Sequence, residues 1–202
     1  MNSEEKLPTR AWQRMLSGRR LDLLAPQAED IEIEDIAHGL ARVARWNGQT
    51  VGNHAFSVAQ HSLVVTDIVR TIEPQFGARE LCAALLHDAP EYVIGDLISP
   101  FKAAIGLDYK AFEQKLLAAI YDRFGLGRMD AYVVSAIKRA DTIAAYYEAI
   151  TLAGFEPSEA ERFFGRPALP DAIDRELRTL TPYSTNDAQA RFIDEFKTLC
   201  RL

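Results

Sequence analysis

The chain has 202 residues, a formal charge of −6 and 48% apolar residues, with an isoelectric point near 5.3. That is enough apolar material for a sizeable core in one domain, and it excludes wholesale disorder. The acidic balance argues against a protein that coats duplex nucleic acid, which would carry a basic stripe, but leaves room for a small phosphorylated ligand held by a few local cations and a metal.

Residues Met1–Lys6 are polar and lack the apolar run of a leader, and no stretch reaches the length of a membrane span. Cys82 and Cys200 are too few for a disulfide scaffold and read as reduced thiols of a cytoplasmic protein. Residues 8–17, with Trp12 and Met15, read as a short helix stopped near Gly18, and Leu21–Asp30, with Pro26, as an irregular connector. Ile31-Glu32-Ile33 is the one stretch with even a brief strand pattern. Glu34 or Asp35 then caps a helix with Ile36, Leu40 and Val43 on one face, and Asn47–Asn53 is dense in turn formers. Helical spacing returns from Phe56 to about Ile72, with Val58, His61, Val65 and Ile68 in step, and after Gly77 over 78–88, with Leu81, Ala84, Leu85 and Asp88 on one side. Pro90 disfavours helical geometry at Ala89, so a turn is expected just past His87-Asp88. A helix over 109–124 is closed by Gly125 and Gly127; the longest, over 130–152, aligns Val134, Ile137, Asp141 and Ala144. Three prolines in 155–171 end the long-helix run, and an amphipathic helix over 185–199 turns Phe192, Ile193 and Phe196 inward. The fold class is all-α. The expected organisation is one domain over residues 1–202, with 1–40 an extension packed on a metal-binding core at 55–152.

The chemistry concentrates in four side chains. His87-Asp88 ends the apolar run Leu81–Leu86, and Asp141 stands within an apolar helix face. A buried carboxylate without a partner is costly, so it is normally paired, neutralised or bound to a metal. Taken alone, His61 reads as a hydrogen-bonded core histidine and His87-Asp88 as a structural pair at a helix end. Together, two histidines and two aspartates on inward helix faces are explained by one ion. Mixed imidazole and carboxylate ligation suits Mn, Co, Fe, Ni or Zn, and Mg less well. Four protein ligands leave coordination positions for water and a substrate oxygen, the mark of a catalytic site. The chain has four histidines in all, too few for a second site of the same kind.

At these positions the chain resembles the HD-domain metal-dependent phosphohydrolases, most closely their 5′-deoxynucleotidase-like branch. The resemblance is carried by Ser57–Ser62 around His61, by His87-Asp88-Ala89-Pro90-Glu91, by Gly95–Lys102, by Asp141, and by Arg45-Trp46 ahead of the first histidine. It implies an all-α helical bundle that hydrolyses phosphate esters, with His61, His87, Asp88 and Asp141 as ligands of one divalent ion. It further implies Glu91 and Asp96 as catalytic carboxylates, Arg45 on the phosphate, and Trp46, Leu97, Ile98 and Ser99 along the substrate. The loop between Trp46 and His61, which carries His54, departs from that branch, and the first forty residues fall outside the resemblance.

Glu91 follows Asp88 by three residues, so a helix continuing there would put both carboxylates on one face. Glu91 would then act as general base beside the ion, against the bland alternative of a solvated helix end. Arg45 offers a planar fork suited to phosphate, or a surface cation. The leading reading is a phosphomonoesterase acting on a nucleotide such as a deoxynucleoside 5′-monophosphate. An alarmone-type pyrophosphohydrolase is the alternative, weakened because Tyr92, not an acid, follows Glu91. A metal-stabilised binding or signalling module without turnover is the third. The several amphipathic helices are compatible with a homodimer, and neither nucleic-acid duplex nor membrane is an expected partner.

Overall fold

The computed structural model describes residues 11–96 and 107–200, and begins with a hairpin rather than the expected short helix. Strand β1 (Trp12–Arg14) pairs antiparallel with β2 (Arg20–Asp22), Gln13 standing opposite Leu21. Gly18, at φ +90°, lets the chain reverse where a side chain would be strained. The Arg20 guanidinium lies 4.1 Å from the centre of the Trp12 ring, and Leu21 is wholly buried. The expected connector 21–30 thus contributes a strand and a 3-10 turn (Ala28–Asp30).

Helix α1 (Ile33–Leu40) begins where the sequence looked strand-like, and its N-cap is Glu32, not Glu34 or Asp35. Asp35 is instead buried and accepts from the Ser17 amide at 2.9 Å and the Ser17 hydroxyl at 2.5 Å, fastening the hairpin. Ile36 and Leu40 are buried; Val43 lies beyond α1 and is partly buried. Helix α2 (Val58–Ile72) is capped by the Ser57 hydroxyl. Helix α3 (Ala78–Leu85) ends three residues before Asp88, so the His-Asp pair sits in a turn rather than on the helix, and that turn, over residues 86–90, takes in the bend expected just past the pair but starts ahead of it. A short α4 (Glu91–Ile94), α5 (Leu107–Arg123) and α6 (Ala131–Thr151) follow. On α6 the inward face runs through Val133, Ile137, Ala140 and Ala144, whereas Val134 is 53% exposed.

The proline-bearing stretch 155–171 does end the run of long helices, holding the short α7 (Pro157–Phe164) and followed directly by the short α8 (Asp171–Leu177). Pro157 is the first residue of α7 and Pro170 immediately precedes α8, positions where a missing N–H costs nothing. Helix α9 (Thr185–Leu199) buries Phe192 and Phe196, while Ile193 is only partly buried. It packs across α1, α2 and α3, and α2 packs along α6. Phe56, Ile68, Leu85 and Phe192 are wholly buried in the common core. Apart from the hairpin the described residues form an all-α fold, and among them no helix is long and apolar enough to cross a membrane.

The expectation of two reduced thiols is corrected. Cys82 on α3 and Cys200 at the end of α9 form a disulfide, their Cα atoms 6.1 Å apart across 118 residues of sequence. The docking of α9 on α3 brings them together, and no local spacing signals it.

Candidate metal centre

Three separate elements converge. Helix α2 supplies His61, wholly buried one turn from its capped start. The turn after α3 supplies His87 and Asp88, and α6 supplies Asp141. His61 Nε2 lies 3.2 Å from Asp141 Oδ1 and 3.5 Å from Asp88 Oδ2; His87 Nε2 lies 3.3 Å from Asp88 Oδ2. Ligand atoms of His61, His87 and Asp88 all fall within 4.8 Å of one another.

The orientation of both rings is decided from behind. His61 Nδ1 meets Glu148 Oε1 at 2.6 Å, and His87 Nδ1 meets the Ala84 carbonyl at 2.8 Å. Each Nε2 is buried without a hydrogen-bond partner and is turned toward the aspartates. A ring nitrogen tied to a carboxylate or carbonyl, with its opposite nitrogen bare, is how a metal-ligating histidine is held. This donor set fits a divalent cation. Burial works against the ionised form of Asp88, but His87 and His61 hold its carboxyl well below the usual range. Asp141 is likewise lowered, against burial, by His61. Burial and the Arg45 charge oppose protonation of His61, yet Glu148, Asp141 and Asp88 raise it well above its usual range near 6.5.

Around this corner stand the other expected residues. Arg45 and Trp46 lie on a 3-10 turn (Arg45–Gly48). Arg45 presents its Nε and Nη2 edge to Glu148 Oε2, at 3.4 and 3.2 Å. Its Nη1 is turned toward Asp96 Oδ2 at 3.8 Å and Asp88 Oδ2 at 4.0 Å. The planar fork expected for phosphate is therefore committed on one edge to a protein carboxylate. Trp46, at φ 56°, and Asn47, at φ 51°, occupy left-handed backbone, a conformation costing roughly 1–3 kcal/mol per non-glycine residue. The Trp46 indole donates to Glu148 Oε2 at 2.9 Å and packs against Phe155 and Phe164, with ring centres at 5.7 and 6.2 Å.

Glu91 is buried at the start of α4. The expectation that it shares a helix face with Asp88 is corrected. Helix α3 stops before the pair, and a turn joins the two residues, the Glu91 amide donating to the Asp88 carbonyl at 3.0 Å. Asp96 follows Gly95, whose φ of +76° makes the bend, and its side chain is 8% exposed. Leu97, Ile98, Ser99 and Lys102 lie outside the described residues. His54 stands in an exposed loop.

Sequence reasoning missed Glu148. It is wholly buried on α6, seven residues past Asp141, and burial pushes its carboxyl up, but Arg45, His61 and the Trp46 indole hold it down at about 2. The signal was present: a single carboxylate inside the apolar run Ile143–Ile150, two helical turns from a candidate ligand. Tyr121 of α5 was also missed. Its hydroxyl donates to the Ala83 carbonyl at 3.1 Å, and burial with the nearby Asp88 charge raises its pKa.

A sequence model of the family described as 5′-deoxynucleotidase YfbR-like matches residues 36–164, more than half of the chain and all of the described site. An uncharacterized protein of Rhodobacter capsulatus is 60% identical over 159 residues, covering 78% of this chain and 81% of that protein. The uncharacterized protein YfdR of Escherichia coli is 32% identical over 174 residues, covering 86% of this chain and 87% of its own.

Proposed function

The chain belongs to the 5′-deoxynucleotidase YfbR-like family, hydrolases of the HD-domain type, and from that premise we propose a divalent-metal-dependent phosphomonoesterase whose substrate is a deoxynucleoside 5′-monophosphate. One observation carries the reading: His61 and His87 each turn a buried, unpartnered Nε2 onto Asp88, with Asp141 beside His61. The described residues within 55–152 then form the metal-binding core, Arg45 and Trp46 reach it from ahead, and residues 11–40 are an extension packed on it.

In this reading His61, His87, Asp88 and Asp141 hold one ion, chosen from Mn, Co, Fe, Ni, Zn or Mg. When bound, it supplies a Lewis acid that polarises a phosphoryl oxygen and eases the deprotonation of water. Glu91 takes the proton of the attacking water. The water oxygen bonds to phosphorus as the phosphorus–O5′ bond breaks, the proton taken up by Glu91 is passed to the departing oxygen, and Asp96, beside Arg45 Nη1, orients the attacking water. The Nη1 side of Arg45 offsets charge on the phosphoryl oxygens. Trp46 lines the sugar and base.

The test is phosphate release from a panel of nucleoside and deoxynucleoside monophosphates, using metal-stripped protein with Mn²⁺, Co²⁺ or Mg²⁺ restored. Release that depends on metal, and that drops by about 10²–10⁴-fold in Glu91→Ala, is the expected result. Metal uptake without release from any phosphate ester overturns the enzyme and leaves a binding module. Release of pyrophosphate from a guanosine tetraphosphate alone redirects the substrate.

A further inference from the structure

We infer that Glu148 is a positioning residue shared by the two halves of the site, one carboxylate oxygen fixing the His61 ring and the other holding Arg45 and Trp46. This rests on the reading that His61 ligates a cation and Arg45 meets phosphate. Oε1 faces His61 Nδ1 at 2.6 Å. Oε2 accepts from the Trp46 indole at 2.9 Å and from Arg45 at 3.2 and 3.4 Å. The carboxylate is wholly buried, so water does not substitute for any of these bonds.

Glu148 and its three partners come from three elements with no local reason to keep register. His61 rides on α2, Glu148 on α6, and Arg45 and Trp46 on a turn whose backbone at Trp46 is left-handed. A bulky residue does not hold that conformation by its own preference. The indole bond to Glu148 and the packing on Phe155 and Phe164 hold it instead. With Nδ1 committed to Glu148, His61 presents Nε2 to Asp88 and Asp141. With the Nε and Nη2 edge of Arg45 on the same carboxylate, Nη1 is the part turned to Asp88 and Asp96. One side chain thereby sets where the phosphate arm stands relative to the ligand nitrogen.

Glutamine cannot replace it. If the amide oxygen faces Arg45 and Trp46, its NH₂ faces Nδ1 and calls for the tautomer whose Nε2 carries the proton. If the amide turns over, its NH₂ meets guanidinium and indole N–H groups. Either orientation breaks one half.

The experiment reads both halves on the folded full-length chain, without turnover. Mn²⁺ affinity is measured by competition with a chromophoric chelator in the absence of phosphate, and inorganic phosphate affinity by calorimetry on the Mn²⁺-loaded protein. Glu148→Gln is expected to weaken Mn²⁺ by roughly 10–100-fold, as loss of an outer-shell partner does, and phosphate on the order of tenfold. Trp46→Phe, which removes the indole N–H and trims the bicyclic ring to a phenyl while keeping an aromatic face toward Phe155 and Phe164, is expected to weaken phosphate severalfold and leave Mn²⁺ within about twofold. Lost stability alone does not produce that split. Should Glu148→Gln fail to fold, Glu148→Asp keeps the charge on a stem one methylene shorter and is expected to weaken both ligands. A folded Glu148 variant with either affinity within about twofold of the parent overturns the shared role, as does a Trp46→Phe protein with unaltered phosphate binding. A parent chain that binds Mn²⁺ and phosphate yet hydrolyses no ester overturns the proposed reaction while the bridge is still decided by these affinities.

Discussion

At the metal corner, His61 and His87 end in buried nitrogens without hydrogen-bond partners, and the Asp88 and Asp141 carboxylates stand within 3.5 Å of them. In the frame that carries the corner, Phe56, Ile68, Leu85 and Phe192 are wholly buried in one apolar cluster. The frame is packed to favour the folded chain, since each apolar side chain there is removed from water. The corner is arranged against that interest. It gathers polar atoms, among them His61, His87 and Asp88, whose mutual geometry could hold a cation. In a helical fold such as this one, function is to be sought at the place where burial and pairing stop agreeing.

Asp141→Asn should separate the two regions most sharply. The substitution keeps the shape of a side chain that is 39% exposed, so the melting temperature of metal-stripped protein is expected to move by no more than about 2 °C. If Asp141 ligates the ion as proposed, metal-dependent phosphate release is expected to fall by more than roughly 100-fold, because losing a ligand costs more than losing its support. A large drop in stability with activity retained would break the comparison. Phe192→Ala should do the reverse. Emptying that site is expected to cost about 3–5 kcal/mol, seen as a shift of the denaturation midpoint, with Mn²⁺ affinity of the folded protein unchanged.

The smallest effect is expected at the rim, where Glu32 joins the hairpin to α5 through Arg19 at 2.5 Å and Arg123 at 3.3 Å. The hydrogen bond from Arg19 is the main reason its carboxyl lies below the ordinary value near 4.5, with burial opposing and Arg123 assisting. A carboxyl lowered by folding stabilises fully above its unfolded value and loses that contribution as pH falls through the lowered one. Glu32→Gln is therefore expected to cost under about 1 kcal/mol at pH 7. The gap from the parent should narrow as pH drops below about 4.5, checked by thermal melts of both proteins across that range.

Legibility in the sequence followed the same divide. Helices α2, α6 and α9 could be read because their apolar spacing runs for three turns or more, long enough for the helical period to stand out. His61, His87, Asp88 and Asp141 could be read because charge in apolar surroundings demands an explanation. Glu148 obeys that same rule and was overlooked only because no second unusual residue stands beside it in the chain. The hairpin could not be read. Its strands are three residues each, and what holds them is Ser17 on Asp35 and Leu21 in the core, contacts made outside the local segment.

Read alone, the chain specified that helices would dominate and that two histidines and two aspartates amid apolar residues called for a common partner. Only the tertiary structure decided that α3 would stop short of His87, that Glu91 would be reached by a turn, that Cys82 would meet Cys200, and that one buried carboxylate would bridge Arg45 to His61. The reason is range. Periodicity and burial cost are properties of a short window of chain, whereas the meeting of Glu148 with residues about one hundred positions away depends on how α2, α6 and the Arg45 turn dock, and no window contains all three.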